Sequence, residues 1–225
     1  MKNRSSINPL EEGGVVILDL LVKSFEERKI FRRKRKDWKI KALAILIYFA
    51  GLSYRKTSRV LRDFEEFSHE AVRQWYHKCK DLFIVKKKRR RAIAIDETKV
   101  KMENRQIYVW NAIDVDDGVI LAVHVSITRT SLDALYFLKK ILELCEDKPL
   151  IIVDRGPWYR WALHRLGLQY KHETFGERNM IEGWYSLFKA RVKRFWKRFP
   201  FHSSLESVKR WSAAWAWLYN LEVLT

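Results

Sequence analysis

The stretch FGERNMIEGWYSLFKARVKRFWKRF, residues 175–199, decides how the rest of the chain is read. On a 3.6-residue wheel Arg178, Glu182, Ser186, Lys189 and Lys193 share one side, while Ile181, Trp184, Phe188, Phe195 and Phe199 share the other. The period predicts a single helix over the whole stretch, seated on large apolar groups. Glu182 is the only acid between Arg178 and Pro200. A salt-bridged surface helix intersperses acids and bases. A lone carboxylate in a cationic stripe suits instead a polyanion lying along the helix, with Glu182 kept for something other than pairing with lysine. Arg191 falls in the apolar sector, where only its aliphatic stem has an evident use.

The totals narrow the partner. The chain has 225 residues, 48% of them hydrophobic, with 10 Trp and a formal charge of +18. That is enough apolar material for one large domain, or for a small one and a medium one. The charge is uneven: residues 1–91 carry 25 Lys/Arg against 11 Asp/Glu, and residues 92–225 carry 20 against 16. A basic front half points to nucleic acid or an anionic surface. A membrane partner is not expected, because the longest apolar runs, Val15–Val22 and Ala42–Leu52, are too short or too interrupted to span a bilayer. The amino terminus lacks a continuous apolar signal segment. Cys79 and Cys145 have no metal-ligand spacing and provide no disulfide framework, so a reducing, cytoplasmic setting is expected.

In chain order, residues 1–30 read as an N-terminal segment with a helix from Val15 to Phe25. Residues 31–85 read as three helices. Trp38–Ala50 is apolar on most sides, Gly51 ends it, Ser53 caps Tyr54–Leu61, and Ser68 caps a third helix from His69. A glycine corner between short helices suits a helix-turn-helix, with a plain helical bundle as the alternative. In the third helix Val72, Trp75, Tyr76 and Cys79 pack inward, leaving Arg73, Gln74 and His77 to face DNA. Arg and Gln can each read a base edge through two hydrogen bonds. The six cations Lys86–Arg91 mark a basic linker able to neutralise phosphates. From residue 92 the period changes to that of strands. A short apolar strand Ala92–Ile95 ends at Asp96. Gln106–Asp114 and Val119–Val125 are joined by a hairpin turn at Asp116-Asp117-Gly118. A helix covers 132–145, a strand Leu150–Val153 ends at Asp154, a helix runs 158–166, and a last short strand covers 168–171. A tryptophan-rich helix over 205–221 closes the chain. The pattern indicates an α/β fold, a mixed sheet flanked by helices and preceded by a small all-α domain.

Two carboxylates, Asp96 and Asp154, stand at the carboxyl ends of apolar strands, where open sheets bind ligands. Glu182 is the third. Three acids in a basic protein suit a hard divalent cation that completes its shell with water and phosphate oxygens. Glu97 would point to the opposite side of the sheet from Asp96 and reads as structural. Asp114 could approach the metal or simply end a hairpin. Trp158 and Tyr159 follow the second acid and read as core, with stacking on an unpaired base as the alternative, and His124, His164 and His172 show no ligand spacing.

These motifs resemble the DDE transposases of prokaryotic insertion sequences, which share the ribonuclease H/retroviral integrase core. Phe175-x2-Arg178-x3-Glu182-x6-Lys189 is similar to the family's signature around its third acid, with Phe175 where tyrosine is usual. Ala94-Ile95-Asp96-Glu97-Thr98 resembles the first-acid strand and Val153-Asp154-Arg155-Gly156-Pro157 the second, and Gly51-Leu52-Ser53-Tyr54-Arg55 resembles the amino-terminal DNA-binding segment. Only 27 residues separate Asp154 from Glu182, fewer than in many relatives. The resemblance implies a ribonuclease H-like catalytic domain over residues 92–225. It implies that Asp96, Asp154 and Glu182 hold two Mg2+ ions, with Mn2+ as the substitute. Arg178, Lys189 and Lys193 would grip DNA phosphates. The expected substrate is double-stranded DNA, both the terminal repeats and the target, bound by a homodimer or larger assembly in the nucleoid. The alternatives are a non-catalytic DNA-binding regulator derived from such an enzyme and a structure-specific nuclease on the same core.

Overall fold

A computed structural model describes residues 17–31, 36–173, 176, 179–195, 198–199 and 203–224. Its centre is a six-stranded sheet of β1 (Ala92–Met102), β2 (Arg105–Asp114), β3 (Ile120–Ser126), β4 (Leu150–Val153), β5 (Tyr170–His172) and β6 (Arg198–Phe199), in the order β3-β2-β1-β4-β5 with β6 added to β1. Strands β1, β2 and β3 form an antiparallel meander, and β4 and β5 continue it in parallel. This is the ribonuclease H-like arrangement that the sequence implied. Helices α5 (Ser131–Leu142) and α6 (Pro157–Leu166) cover one face over Ile93, Ile95, Trp110, Ile151 and Val153. The other face, with Ala94, Val109 and Ile152, lies under α7 (Asn179–Lys193) and α8 (Leu205–Val223).

The amino-terminal helices α1 (Ile17–Arg28), α2 (Trp38–Phe49), α3 (Tyr54–Val60) and α4 (His69–Lys78) pack into that second core. Caps form where the sequence places them, with Ser53 accepting from Lys56 N and Ser68 from Ala71 N, both at 3.2 Å. Trp211 of α8 joins the helical layers. Its Nε1 donates to Tyr48 Oη at 2.8 Å, and its ring meets Phe188, Phe195, Phe199 and Trp215. At the far edge of the sheet Asn220 pairs with the backbone of Ile120 as a strand would, accepting from its N at 2.7 Å and donating to its O at 2.8 Å. That occupies an edge otherwise open to another chain.

Three expectations change. Strand β1 does not stop at Asp96 but runs on to Met102, paired with β2 down to Met102↔Arg105. In that half Thr98 and Val100 are buried and Lys99 and Lys101 exposed, a strand alternation that the charges conceal. Helix α7 ends at Lys193 instead of reaching Phe199; Arg198–Phe199 is β6, which pairs in parallel with Lys101–Met102. Extended there, Phe199 gains ladder bonds on an open edge and still reaches Trp211, with ring centroids 5.4 Å apart. The Lys86–Arg91 run is tied to the sheet domain through four of its six cations. Lys88 pairs with Asp117, Arg89 with Asp147, Arg91 with Asp116, and Arg90 forms a buried pair with Asp114 in which both side chains are 2% exposed.

Arg191, unexplained by the helical wheel, is buried and donates to the carbonyls of Tyr48 at 2.9 Å and Leu52 at 3.2 Å. Its guanidinium lies 4.3 Å from the centre of the Tyr48 ring. It joins α7 to the glycine corner after α2.

Candidate active site

Parallel pairing of β1 with β4 matches Ile93 to Ile151 and Ala94 to Ile152. That ladder ends at Ala94–Ile152; Asp96 stands two residues further along β1, and Asp154 directly follows the last residue of β4. Alternation along β1 turns Asp96 to the face of Ala94, the face under α7, while Asp154 starts the loop after β4. Both are half-buried. Asp96 Oδ1 accepts from Glu97 N and Asp154 Oδ1 from Gly156 N, each at 2.8 Å. Helix α7 crosses directly above: Tyr185 Oη donates to the carbonyls of Asp96 at 2.6 Å and Val109 at 3.1 Å. Glu182 lies one turn before Tyr185, exposed, in the first turn of α7, where the helix dipole favours a carboxylate.

The fold therefore puts Asp96 on β1 and Asp154 just after the neighbouring strand β4, with Glu182 in the first turn of the helix that Tyr185 ties to β1. It does not close the three into one cage: among the described residues no group of three or more His, Cys, Asp or Glu side chains is placed to hold a metal ion. Two neighbouring carboxylates are nonetheless the donor chemistry that magnesium takes, with its remaining positions left to water and phosphate. Asn111 adds an independent sign. It stands directly opposite Asp96 in the antiparallel ladder, so its side chain shares that face. It is completely buried, yet neither its amide oxygen nor its nitrogen has a hydrogen-bond partner among the described residues. An orphaned buried amide beside a carboxylate is where an ordered water of an ion's shell would be held. The residues fit a hard divalent cation. Nothing in the sequence pattern singled out Asn111; only the cross-strand register does.

Downstream of the acids, β1 and α7 diverge around a groove of about 400 Å³ lined by Lys99, Val100, Lys101, Gln106, Lys189, Val192 and Lys193. Its described lining holds four lysines and no acid. Lys189 and Lys193 were expected to meet phosphate. Lys99 and Lys101 were missed, because the sequence reading ended β1 before them. Arg178 and Phe175 lie outside the described residues.

Glu97 lies on the opposite face, its side chain 3% exposed, paired with Arg129 Nη1 at 3.1 Å. Burial pushes its carboxyl up from the ordinary range, with Asp96 and Asp154 adding to the rise and Tyr159 and Arg129 opposing it.

On α4, Val72, Trp75, Tyr76 and Cys79 are buried as expected, and Arg73 and Gln74 are exposed. Glu70 holds both outward side chains, accepting from Arg73 Nε at 2.8 Å and from Gln74 Nε2 at 3.2 Å, and Arg73 keeps the Glu70 carboxyl down at about 2. His77 is half-buried, and burial lowers its pKa to about 4, so it meets a ligand at neutral pH uncharged. These residues, with Lys78, Lys80 and Asp81, face a groove of about 580 Å³ whose other wall is Ser204, Glu206, Ser207 and Arg210 of α8 and its cap.

Residues 90–221 match the DDE domain family DDE_Tnp_IS240. The chain belongs to the DDE transposase family. The matched segment contains Asp96, Asp154 and Glu182, and leaves α1–α4 outside it. Relatives of this transposase-family chain include the uncharacterized protein MJ0017 of Methanocaldococcus jannaschii, 44% identical over 204 residues, which are 90% of this chain and 95% of that one. The transposase for insertion sequence-like element IS431mec of Staphylococcus aureus is 27% identical over 143 residues, 60% of this chain and 63% of that one. Among solved structures, the HTLV-2 integrase catalytic core domain in complex with magnesium superposes with a TM-score of 0.42 at 18% identity, covering 56% of this chain and 84% of that one. No described helix is long and apolar enough to cross a membrane.

Proposed function

We propose that this protein is a DNA transposase that cleaves and joins phosphodiesters at the ends of its insertion sequence, with Asp96, Asp154 and Glu182 as the carboxylates that hold two magnesium ions. Manganese is expected to substitute. The observation that carries the reading is Asp96 on β1 and Asp154 just after its parallel neighbour β4, with Glu182 on the helix docked against β1, inside the matched DDE domain. Bound magnesium supplies the positive charge and the acidified water that in-line displacement at phosphorus uses. The chain's own groups do the rest. Tyr185 fixes α7 on the strand that carries Asp96. Asn111 holds water beside that carboxylate. Lys189, Lys193 and Arg178 grip phosphates next to the reacting one, joined by Lys99 and Lys101. The residues 31–85 module docks on the terminal repeat, where Arg73 and Gln74 of α4, once DNA displaces Glu70 as their partner, read base edges together with His77. Joining two DNA ends to one target calls for at least a homodimer, acting in the nucleoid.

One observation favours a second reading. The three acids do not form a closed group among the described residues, as a DNA-binding regulator descended from a transposase would allow. Incubating purified protein with Mg2+ and DNA from the ends of its element separates them on a gel. The transposase yields nicked and joined strands that vanish in Asp154→Ala and Glu182→Ala while DNA binding persists. Binding without any product, unchanged by those substitutions, assigns the regulator. Cleavage of branched DNA regardless of end sequence assigns a nuclease.

A further inference from the structure

Glu97 follows Asp96 on β1, and alternation sends it through to the α6 face. There it collects three donors. Oε2 accepts from Tyr159 Oη at 2.5 Å and from Trp158 Nε1 at 3.3 Å, and Oε1 accepts from Arg129 Nη1 at 3.1 Å. The Arg129 guanidinium lies 3.8 Å from the centre of the Trp158 ring and 5.1 Å from that of Tyr108. Burying the Glu97 carboxylate, with the Arg129 side chain still 26% exposed beside it, costs desolvation that a leucine would avoid, so packing alone does not account for the group.

The donors' place in the chain does. Trp158 and Tyr159 open α6, and the loop Asp154-Arg155-Gly156 runs straight into them. That loop is tight: a Cβ at Gly156 would come within 2.6 Å of the Trp158 ring and 2.9 Å of Asp154 Oδ1. Whatever holds Trp158 and Tyr159 therefore also holds the Asp154 carboxylate. The group holding them sits one residue from Asp96.

We infer that Glu97 is a positioning residue that fixes Asp154 against Asp96 from behind the sheet, through Trp158 and Tyr159, with Arg129 balancing its charge. The inference rests on the reading of Asp96 and Asp154 as metal-holding. Facing away from them, Glu97 does not share their ion; it acts on the ion's affinity by setting the spacing of the two acids. Outer groups that orient metal ligands typically change metal affinity by about 10- to 100-fold when removed.

Calorimetric titration of the DNA-free protein with Mn2+ tests this. Glu97→Ala is expected to weaken Mn2+ binding at least 10-fold, and Glu97→Gln, which keeps an acceptor, to weaken it less. Leu163→Ala, in the same core on α6, is the packing control: it lowers the melting temperature and leaves Mn2+ affinity unchanged. Wild-type Mn2+ affinity in Glu97→Ala overturns the inference, as does an equal loss in Leu163→Ala. Should Glu97→Ala not fold, Tyr159→Phe removes one hydroxyl and no packing, and must itself weaken Mn2+ several-fold for the inference to stand. A wild-type protein that takes up no Mn2+ sinks this inference and the reading beneath it together. Tight wild-type binding with an indifferent Glu97→Ala sinks the inference alone.

Discussion

At the scale of single residues, the site depends on groups that no helical wheel or strand pattern marks. Gly156 is one: a methyl group there would press on the Asp154 carboxylate and on the Trp158 ring. Gly156→Ala is expected to fold, melt at a lower temperature and bind Mn2+ about 10-fold more weakly, checked by calorimetry beside a melting curve. Asp114 is another, and its part is structural. It is 1% exposed, pairs with buried Arg90 and has Lys88 at 3.6 Å, well back along β2 from the Asp96–Asn111 rung. Asp114→Ala leaves a buried guanidinium without its anion and is expected to lose about 3–5 kcal/mol. Arg90→Met combined with Asp114→Leu is expected to lose much less, and chemical denaturation of both variants decides it. The sequence made Asp96, Asp154 and Glu182 visible through strand ends and a lone acid in a basic stripe. It could not show Asn111 or the anchoring of Glu97, because both depend on which residue lies across a strand or behind it.

Among elements, β1 and α7 matter most, and each was misjudged in length. The apolar run Ala92–Ile95 ends at the first acid, and the charges of Glu97, Lys99 and Lys101 mask the alternation beyond it; pairing with β2 shows them as alternate positions of one strand. Helix α7 was read through to Phe199 because aromatic spacing continued, but an open strand edge beside Lys101 competes for Arg198 and Phe199 and wins. The longer β1 brings Lys99 and Lys101 into the groove with Lys189 and Lys193. If that groove carries a DNA backbone, each lysine removed lowers the salt slope of binding by about 0.9 on duplex or about 0.7 on a single strand. The four-alanine variant is expected to lose a total slope of roughly 3 to 4 in a filter-binding salt series. Alanine at Lys139, exposed on α5, is expected to change nothing. A four-lysine variant with an unchanged slope would remove the groove from the DNA path.

For the molecule as a whole, the order of elements was legible: helices first, then a meander, then strands alternating with helices. Strong local signals carried it, among them serine caps at 53 and 68, left-handed Gly167 after α6, and apolar four-residue strands. How the amino-terminal helices meet the sheet was not legible. They share a core with α7 and α8 through Tyr48, Arg191 and Trp211, contacts between residues more than 140 positions apart. The basic run before β1 looked like a free linker because its acidic partners, Asp114, Asp116, Asp117 and Asp147, are remote in the chain. What the molecule does rests on whether two strands and a helix deliver their carboxylates to the same ions. The most direct measurement is the number of Mn2+ ions retained by the protein bound to its terminal DNA, counted by electron paramagnetic resonance for wild type, Asp96→Ala, Asp154→Ala and Glu182→Ala. Two ions in wild type and fewer in each variant is the predicted result; equal retention in all four proteins would contradict it.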